Sequence, residues 1–485
     1  MMNATKNINS HYYAHCIIFI VLTFGIGFLP PIGGITPLGM NVLGVFLGLL
    51  YGWIFVGFIW PSLFGMFALG LTGYDSIINV FVAGFGDPTV LKIFFIFAFA
   101  GILQTTNLTT YLANWFISRK ICRGKPWVLI SFIFLASAIV GGFINQYAAI
   151  VIVWYLFYGI CKATGYKKDE PLTSYVIVGV PIISTMGAMM FPFLPASVIF
   201  RSMLQEDILT NYAMPDTALM ITHFSLALSL VIIYIILGKY ILRINVDKLK
   251  SIDEDFFKKI ENQKMNSEQK LSFATLIAFI LILVLPLFLP DGPVKNTLQN
   301  IDILGAAVIM LMIFCCRKDH EQKNKYDFGK IIFDGINWDI IVLFASTFPV
   351  SAAMESEETG IISTVVGALM PVFSTISPML FIVFCFVLFL LVTQVAHNII
   401  LGIVFTPVLA KIGIDMGINP YLFQIYFAWA LQLAFITPGA SANAALIFAN
   451  SNNIGVKDSY KYTTIAVATC GLTALVLLPL LSMLF

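Results

Sequence analysis

Ionised side chains are scarce in this chain: Asp, Glu, Lys and Arg make up 11% of its 485 residues, against 59% apolar residues. Soluble domains carry about a quarter charged residues, so this composition excludes a water-facing globular surface over most of the length. Cysteine is sparse and unpatterned. Cys16, Cys122, Cys161, Cys315, Cys316, Cys385 and Cys470 are odd in number and show no metal-ligand spacing. They read as packing residues or reduced thiols, not as a disulfide framework. The alternating segments of a membrane β-barrel are missing. So is a glycine-rich loop ending in lysine, which argues against nucleotide-driven pumping.

What is present is a series of apolar windows, many of them near the ~20 residues that cross hydrocarbon. The chain therefore reads as an all-α polytopic membrane protein. A net charge of +2 carries no message, but the placement of charge does. Lysine and arginine gather at 119–125, 162–168, 243–270, 317–330 and 457–461, and the positive-inside rule assigns these places to the cytoplasm. Threading the chain through them predicts spans near 12–29, 38–55, 56–71, 90–117, 174–200, 218–242, 271–289, 301–316, 338–354, 422–449 and 463–485. That path makes eleven crossings, with the N-terminus cytoplasmic and the C-terminus outside. The first apolar segment is read as a retained span and not as a signal peptide.

Two apolar segments do not fit as crossings. Residues 127–161 have basic clusters at both ends, so the chain must enter and leave on one side. Two crossings and a turn need more than about 40 residues, and the middle of this segment holds Gly141-Gly142 and Asn145-Gln146. It is predicted to be a re-entrant hairpin opening inward. Residues 378–410 have the same build around His397-Asn398 and are predicted to open outward. Each hairpin precedes a helix interrupted by proline: Pro192 and Pro195 before Ser197, then Thr437-Pro438 before Ser441 and Asn443. Gly84-Phe85 with an apolar span and Gln104 likewise parallels Gly335-Ile336 with an apolar span and Glu355. Interrupted segments at matching places in two inverted halves point to the binding site of a carrier.

The candidate site follows. Asn145 and Gln146 offer oxygens to a cation and N–H groups to a carboxylate; they could equally satisfy backbone groups freed at a helix break. Tyr147 is a donor to an anion or a packing ring. His397, the one histidine this path puts at mid-depth, could pair with an anion, carry a proton, or be a satisfied core residue. Asn398 stands beside it. Ser441 and Asn443, with Ser197 as their mirror, sit where half-helix ends would face an anion, or else cap freed carbonyls. Asn145, Asn398, Thr437 and Ser441 are the oxygen donors available to a coupling ion. No Asp or Glu falls at mid-depth in the hairpins or interrupted helices, so a carboxylate proton relay has no candidate. Arg201 either attracts anions at the outer mouth or snorkels to headgroups.

From about Gly33 to Phe485 the chain resembles the divalent anion:sodium symporter family of the ion-transporter superfamily. The resemblance rests on element order and on Gly84-Phe85-Gly86-Asp87-Pro88-Thr89-Val90, on Asn337-Trp338-Asp339-Ile340-Ile341-Val342-Leu343-Phe344, and on Leu433-Ala434-Phe435-Ile436-Thr437-Pro438. It implies a homodimer with a scaffold domain and an elevator-type transport domain that contains both hairpins and both interrupted helices. Laid on this chain, it implies N-terminal scaffold spans at 1–73, a first repeat at 74–242, a cytoplasmic linker at 243–270, scaffold spans at 271–354 and a second transport part at 355–485. The family's hairpin tips usually read Ser-Asn-Thr. Here they read Asn145-Gln146-Tyr147 and His397-Asn398-Ile399, and only Asn398 keeps the family residue.

The expected function is a symporter in the cytoplasmic membrane that moves a small anionic solute, a carboxylate or dicarboxylate, with sodium or protons. No cofactor beyond Na+ and no nucleic acid is expected; the surroundings are membrane lipid. An uncoupled or exchange-mode anion permease is the alternative. An enzyme is more distant, because it would need a nucleophile–base or metal constellation at depth.

Overall fold

The computed structural model describes residues 2–204, 212, 216–252, 257, 264–318, 325–373 and 375–484. Among these residues helices are joined by turns and short loops, and there is no strand. Eleven helices among the described residues are long and apolar enough to cross a membrane. The chain is an all-α multi-pass membrane protein.

Three helices open it: α1 (Met2–Gly25), α2 (Pro37–Phe55) and α3 (Ile59–Leu71). A series of eight follows: α4 (Ile77–Phe85), α5 (Pro88–Thr105), α6 (Leu108–Ile117), α7 (Pro126–Phe143), α8 (Gln146–Thr164), α9 (Pro171–Ala188), α10 (Pro195–Arg201) and α11 (Asp216–Ile236). Then come α12 (Ser267–Val284) and α13 (Pro293–Cys315). A second series of eight closes the chain: α14 (Phe328–Gly335), α15 (Trp338–Glu355), α16 (Ile361–Phe373), α17 (Pro378–Val392), α18 (Asn398–Asp415), α19 (Pro420–Gln432), α20 (Ala442–Ala449) and α21 (Val456–Leu481). The two series match in order. Each runs short helix, 18-residue helix, shorter helix, two helices joined by a short link, interrupted helix, long helix.

The set of spans differs from the one expected. The segments expected at 12–29 and 56–71 contain shorter apolar helices, Tyr12–Phe28 and Ile59–Leu71. The arms Pro126–Phe143, Gln146–Thr164 and Asn398–Asp415 are each long enough to be counted as spans. The expected span 90–117 divides between α5 and α6 at Asn107, whose φ of 58° is left-handed. Asparagine tolerates that conformation better than other residues with a Cβ, which ends the helix there. The expected 174–200 and 422–449 are interrupted where proline stands. Pro192 and Pro438 each lack an N–H and would clash with the carbonyl four residues earlier in a continuous helix.

By packing, the chain divides into two compact units: Met1–Phe95 with Ile336–Phe381 and Ile403–Ile418, and Ile96–Gly335 with Ile382–Gly402 and Asn419–Phe485. In the first, α3 and α4 pack on α15. Thr36 caps α2 by accepting from Gly39 N at 3.1 Å and ties it to the Glu358 carbonyl through its hydroxyl, 2.7 Å away.

In the second unit α9 is the hub, and every residue from Leu172 to Ala188 is buried. Lipid tails are as apolar as the side chains, so helices here are held by close packing and interhelical hydrogen bonds and not by water exclusion. Small residues permit it. A Cβ on Gly142 of α7 would lie 2.5 Å from the Gly187 carbonyl oxygen of α9. Ser137 donates to the Val180 carbonyl at 2.8 Å and Trp154 of α8 donates to the Ile177 carbonyl at 3.0 Å.

Of the expected linker 243–270, residues 253–256 and 258–263 lie outside the described residues, as do 319–324 of the fourth basic cluster. The start of the linker is held against the second unit by Lys248, 2.8 Å from Glu170. The hydrogen bond from that ammonium group holds the Glu170 carboxyl below its usual range.

Candidate functional site

All the predicted site residues lie in the second unit. The first hairpin tip is the two-residue link Ile144-Asn145 between α7 and α8. Asn145 caps α8: its Oδ1 accepts from Tyr147 N at 2.9 Å and Ala148 N at 3.0 Å. A helix start leaves orphan N–H groups, and a short polar side chain in extended backbone satisfies them. The second tip, 393–397, joins α17 to α18. There the Asn398 Oδ1 accepts from Ile399 N at 2.9 Å, and Asn398 N donates to the Ala440 carbonyl at 3.1 Å.

The interruption between α19 and α20 spans 433–441. Every polar group freed there must find a partner, because hydrocarbon offers none. Gln394, from the second tip, answers three of them. Its Nε2 donates to the Leu433 carbonyl at 2.9 Å, and its Oε1 accepts from Phe435 N at 3.1 Å and Ile436 N at 3.0 Å. The Thr437 hydroxyl donates to the Gln394 carbonyl. Ser441 donates to the Ala434 carbonyl at 2.6 Å and caps α20 by accepting from Ala444 N at 3.1 Å.

Asn443 links this interruption to the first tip. Its Nδ2 is 2.8 Å from Thr185 Oγ1 on α9 and 3.4 Å from Gln146 Oε1. The Ser184 hydroxyl donates to the Gln146 carbonyl at 3.2 Å. Asn443 Oδ1 is buried and has no hydrogen-bond partner among the described residues.

The structure thus joins Asn145 and Gln146, Asn398, and Thr437, Ser441 and Asn443 into one connected set. Tyr147 and His397 sit at the two tips, each half-buried. Ser197 stands apart from these hydrogen bonds; it is buried in α10 with its hydroxyl 3.6 Å from Met189 Sδ. The sequence reading missed Gln394, Ser184 and Thr185, and it missed that His223 is also buried. Gln394 carried one usable signal, a carboxamide in the apolar run 386–396.

Three helix starts meet here: α8 at Gln146, α18 at Asn398 and α20 at Ala442. Helix N-termini carry partial positive charge and free N–H groups, so their convergence favours an anion. The side-chain oxygens of Asn145, Asn398 and Ser441 already accept backbone bonds. Asn443 Oδ1, with no hydrogen-bond partner among the described residues, is an acceptor open to a cation or a ligand donor. The described residues therefore fit a cation beside an anion.

Residues 42–434 match the family model described as citrate transporter, CitMHS. Over 152 residues the chain is 26% identical to the uncharacterized transporter YfbS of Escherichia coli K12, covering 31% of this chain and 24% of that protein. Over 238 residues it is 24% identical to the Na(+)/dicarboxylate cotransporter 3 of Rattus norvegicus, covering 44% of this chain and 38% of that protein. Over 207 residues it is 23% identical to the sodium-dependent low-affinity dicarboxylate transporter 1 of Caenorhabditis elegans, covering 39% and 35%. The matches span about a quarter to two-fifths of the length of these curated relatives. The fold is similar to the crystal structure of the Alcanivorax borkumensis YdaH transporter, with a TM-score of 0.55 and 13% identity over 83% of this chain and 86% of that one.

Proposed function

Because the chain belongs to the citrate transporter family, we propose that it is a secondary carrier, not an enzyme, moving a small carboxylate of the dicarboxylate class together with a coupling cation. The observation that carries this reading is the connected set from Gln146 through Asn443 to Asn398, with three helix starts around it.

No lysine or arginine belongs to that set. A helix end contributes roughly half a positive charge, so three of them fall short of balancing a doubly charged anion. Burying net charge is costly, and a cation bound alongside lowers that cost. Coupling follows from this balance: the anion and the cation enter together because neither is well tolerated alone. Asn443 Oδ1, with the oxygens of Thr437, Ser441, Asn145 and Asn398, is the donor set for sodium. Sodium dependence in the names of the C. elegans and rat relatives supports that ion. His397 offers the proton alternative. The Gln146 and Asn145 N–H groups, Tyr147 and His397 complete the anion side.

The same reading includes hairpins at 127–161 and 378–410 that turn back within the membrane from opposite faces. It includes a homodimer with elevator motion, a cytoplasmic N-terminus and an outer C-terminus in the cell membrane. The lysine and arginine clusters support the orientation, and the matched series α4–α11 and α14–α21 supports the repeat. The arms α7 and α8 have 18 and 19 residues. At about 1.5 Å per residue that is just under the ~30 Å hydrocarbon core, and their polar tips support arms that end inside it.

Initial-rate uptake into proteoliposomes tests the reading. Saturable accumulation of labelled succinate or citrate, driven by an imposed sodium or proton gradient, is the expected result. Conductance that does not saturate would replace the carrier with a channel-like permease.

A further inference from the structure

Outside the proposed site, one histidine among the described residues of the second unit is almost fully enclosed. His223 on α11 is 2% exposed. Its Nδ1 lies 2.9 Å from the Met189 carbonyl oxygen. A carbonyl only accepts, so Nδ1 carries the proton in this pair. Met189 is the first residue beyond α9. In an unbroken helix its carbonyl would accept from residue 193; the interruption at 189–194 frees it, and the imidazole takes it instead.

The same ring faces the other interrupted helix. Its centroid is 5.9 Å from the ring of Trp429 in α19, and Trp429 is fully buried. One side chain thus contacts the end of α9 and the body of α19. The two interruptions are held alike. Gln394 takes the freed Leu433 carbonyl in the second half, and His223 takes the freed Met189 carbonyl in the first.

We propose that His223 is a positioning residue for transport. Its Nδ1–H clasps the Met189 carbonyl and fixes the 189–194 bend. Through that bend it fixes the turn of α9 that presents Ser184 to Gln146 and Thr185 to Asn443. The inference rests on the carrier reading for its consequence in transport, while the clasp itself stands on the hydrogen bond and can be measured without a substrate.

Three full-length proteins in proteoliposomes separate a donor from a mere filler of space: wild type, His223→Gln, which keeps an N–H donor without the ring, and His223→Phe, which keeps a ring without the donor. Amide exchange is followed in residues 190–194, and uptake is resolved into KM and Vmax. One net hydrogen bond corresponds to up to about tenfold in an equilibrium. The Phe variant is expected to exchange ~tenfold faster in that segment and to lose Vmax by a similar factor, with KM within about twofold. The Gln variant is expected to stay within about twofold of wild type in both. A Phe variant indistinguishable from wild type, or a Gln variant as impaired as Phe, overturns the proposal. Should the Phe variant not fold, His223→Leu takes its place, and a folded Gln variant with fast exchange at 190–194 still overturns it. If wild type moves no carboxylate, the carrier reading falls, and the exchange result alone decides the clasp.

Discussion

Asn443 and Thr185, 258 residues apart in sequence, meet at 2.8 Å, carboxamide nitrogen to hydroxyl oxygen. The contact ties the start of α20 to the buried hub helix α9 and holds the Asn443 side chain so that its Oδ1 is left without a partner among the described residues. Thr185 in turn donates to the Pro181 carbonyl at 2.9 Å, so its oxygen is fixed in place.

Thr185→Val keeps the shape and removes the acceptor. A buried donor left unsatisfied costs about 1–3 kcal/mol. Part of that cost is expected in substrate binding, as a KM about tenfold higher with the folded protein retained. Uptake kinetics beside a thermal unfolding curve check it; an unchanged KM would remove this pair from the site.

Gln394→Leu should be more damaging. It strips the Leu433 carbonyl and the Phe435 and Ile436 amides of their partner at once. With each lost partner costing about 1–3 kcal/mol, a clear fall in thermal midpoint and loss of uptake are expected. A variant as stable as wild type would mean that the interruption re-forms as helix, which a shift in the amide exchange pattern of 433–437 would reveal.

Gly142→Ala tests the close approach of α7 to α9. The added Cβ would sit 2.5 Å from a backbone oxygen, which cannot rotate away. Overpacking of this kind costs about 1–3 kcal/mol, and the first tip would shift with it. Lower stability together with weaker substrate binding is the expected outcome; a fully active, fully stable variant would show that this approach does not constrain the first tip.

His397→Ala probes proton involvement. Histidine changes charge between about pH 5 and 8, so a role in coupling or anion pairing predicts a flatter uptake profile across that range. Initial rates at fixed sodium measure it directly. A profile that keeps its wild-type shape takes His397 out of the mechanism and leaves sodium as the coupling ion.

The class of this protein was legible at once, because a chain with so few charges and so many apolar windows has nowhere to be stable except in lipid. The places of the two tips and of the two interruptions were legible as well. Asn145, Asn398, Pro192 and Pro438 stand out in apolar surroundings because a bilayer leaves no freed backbone group unsatisfied. Such local demands are written locally. The break at Asn107 carried a weaker version of the same signal and was read as continuous helix.

The partners were not legible. Gln394 with Leu433, His223 with Met189 and Asn443 with Thr185 depend on which helices become neighbours. Helices that are apolar on all sides show little periodicity to mark their facing surfaces. Local sequence therefore determined that this chain is helical, membrane-bound and interrupted at matching points in two halves. Only tertiary packing decided which side chain answers each freed carbonyl, because that choice is made by close approach between segments tens to hundreds of residues apart.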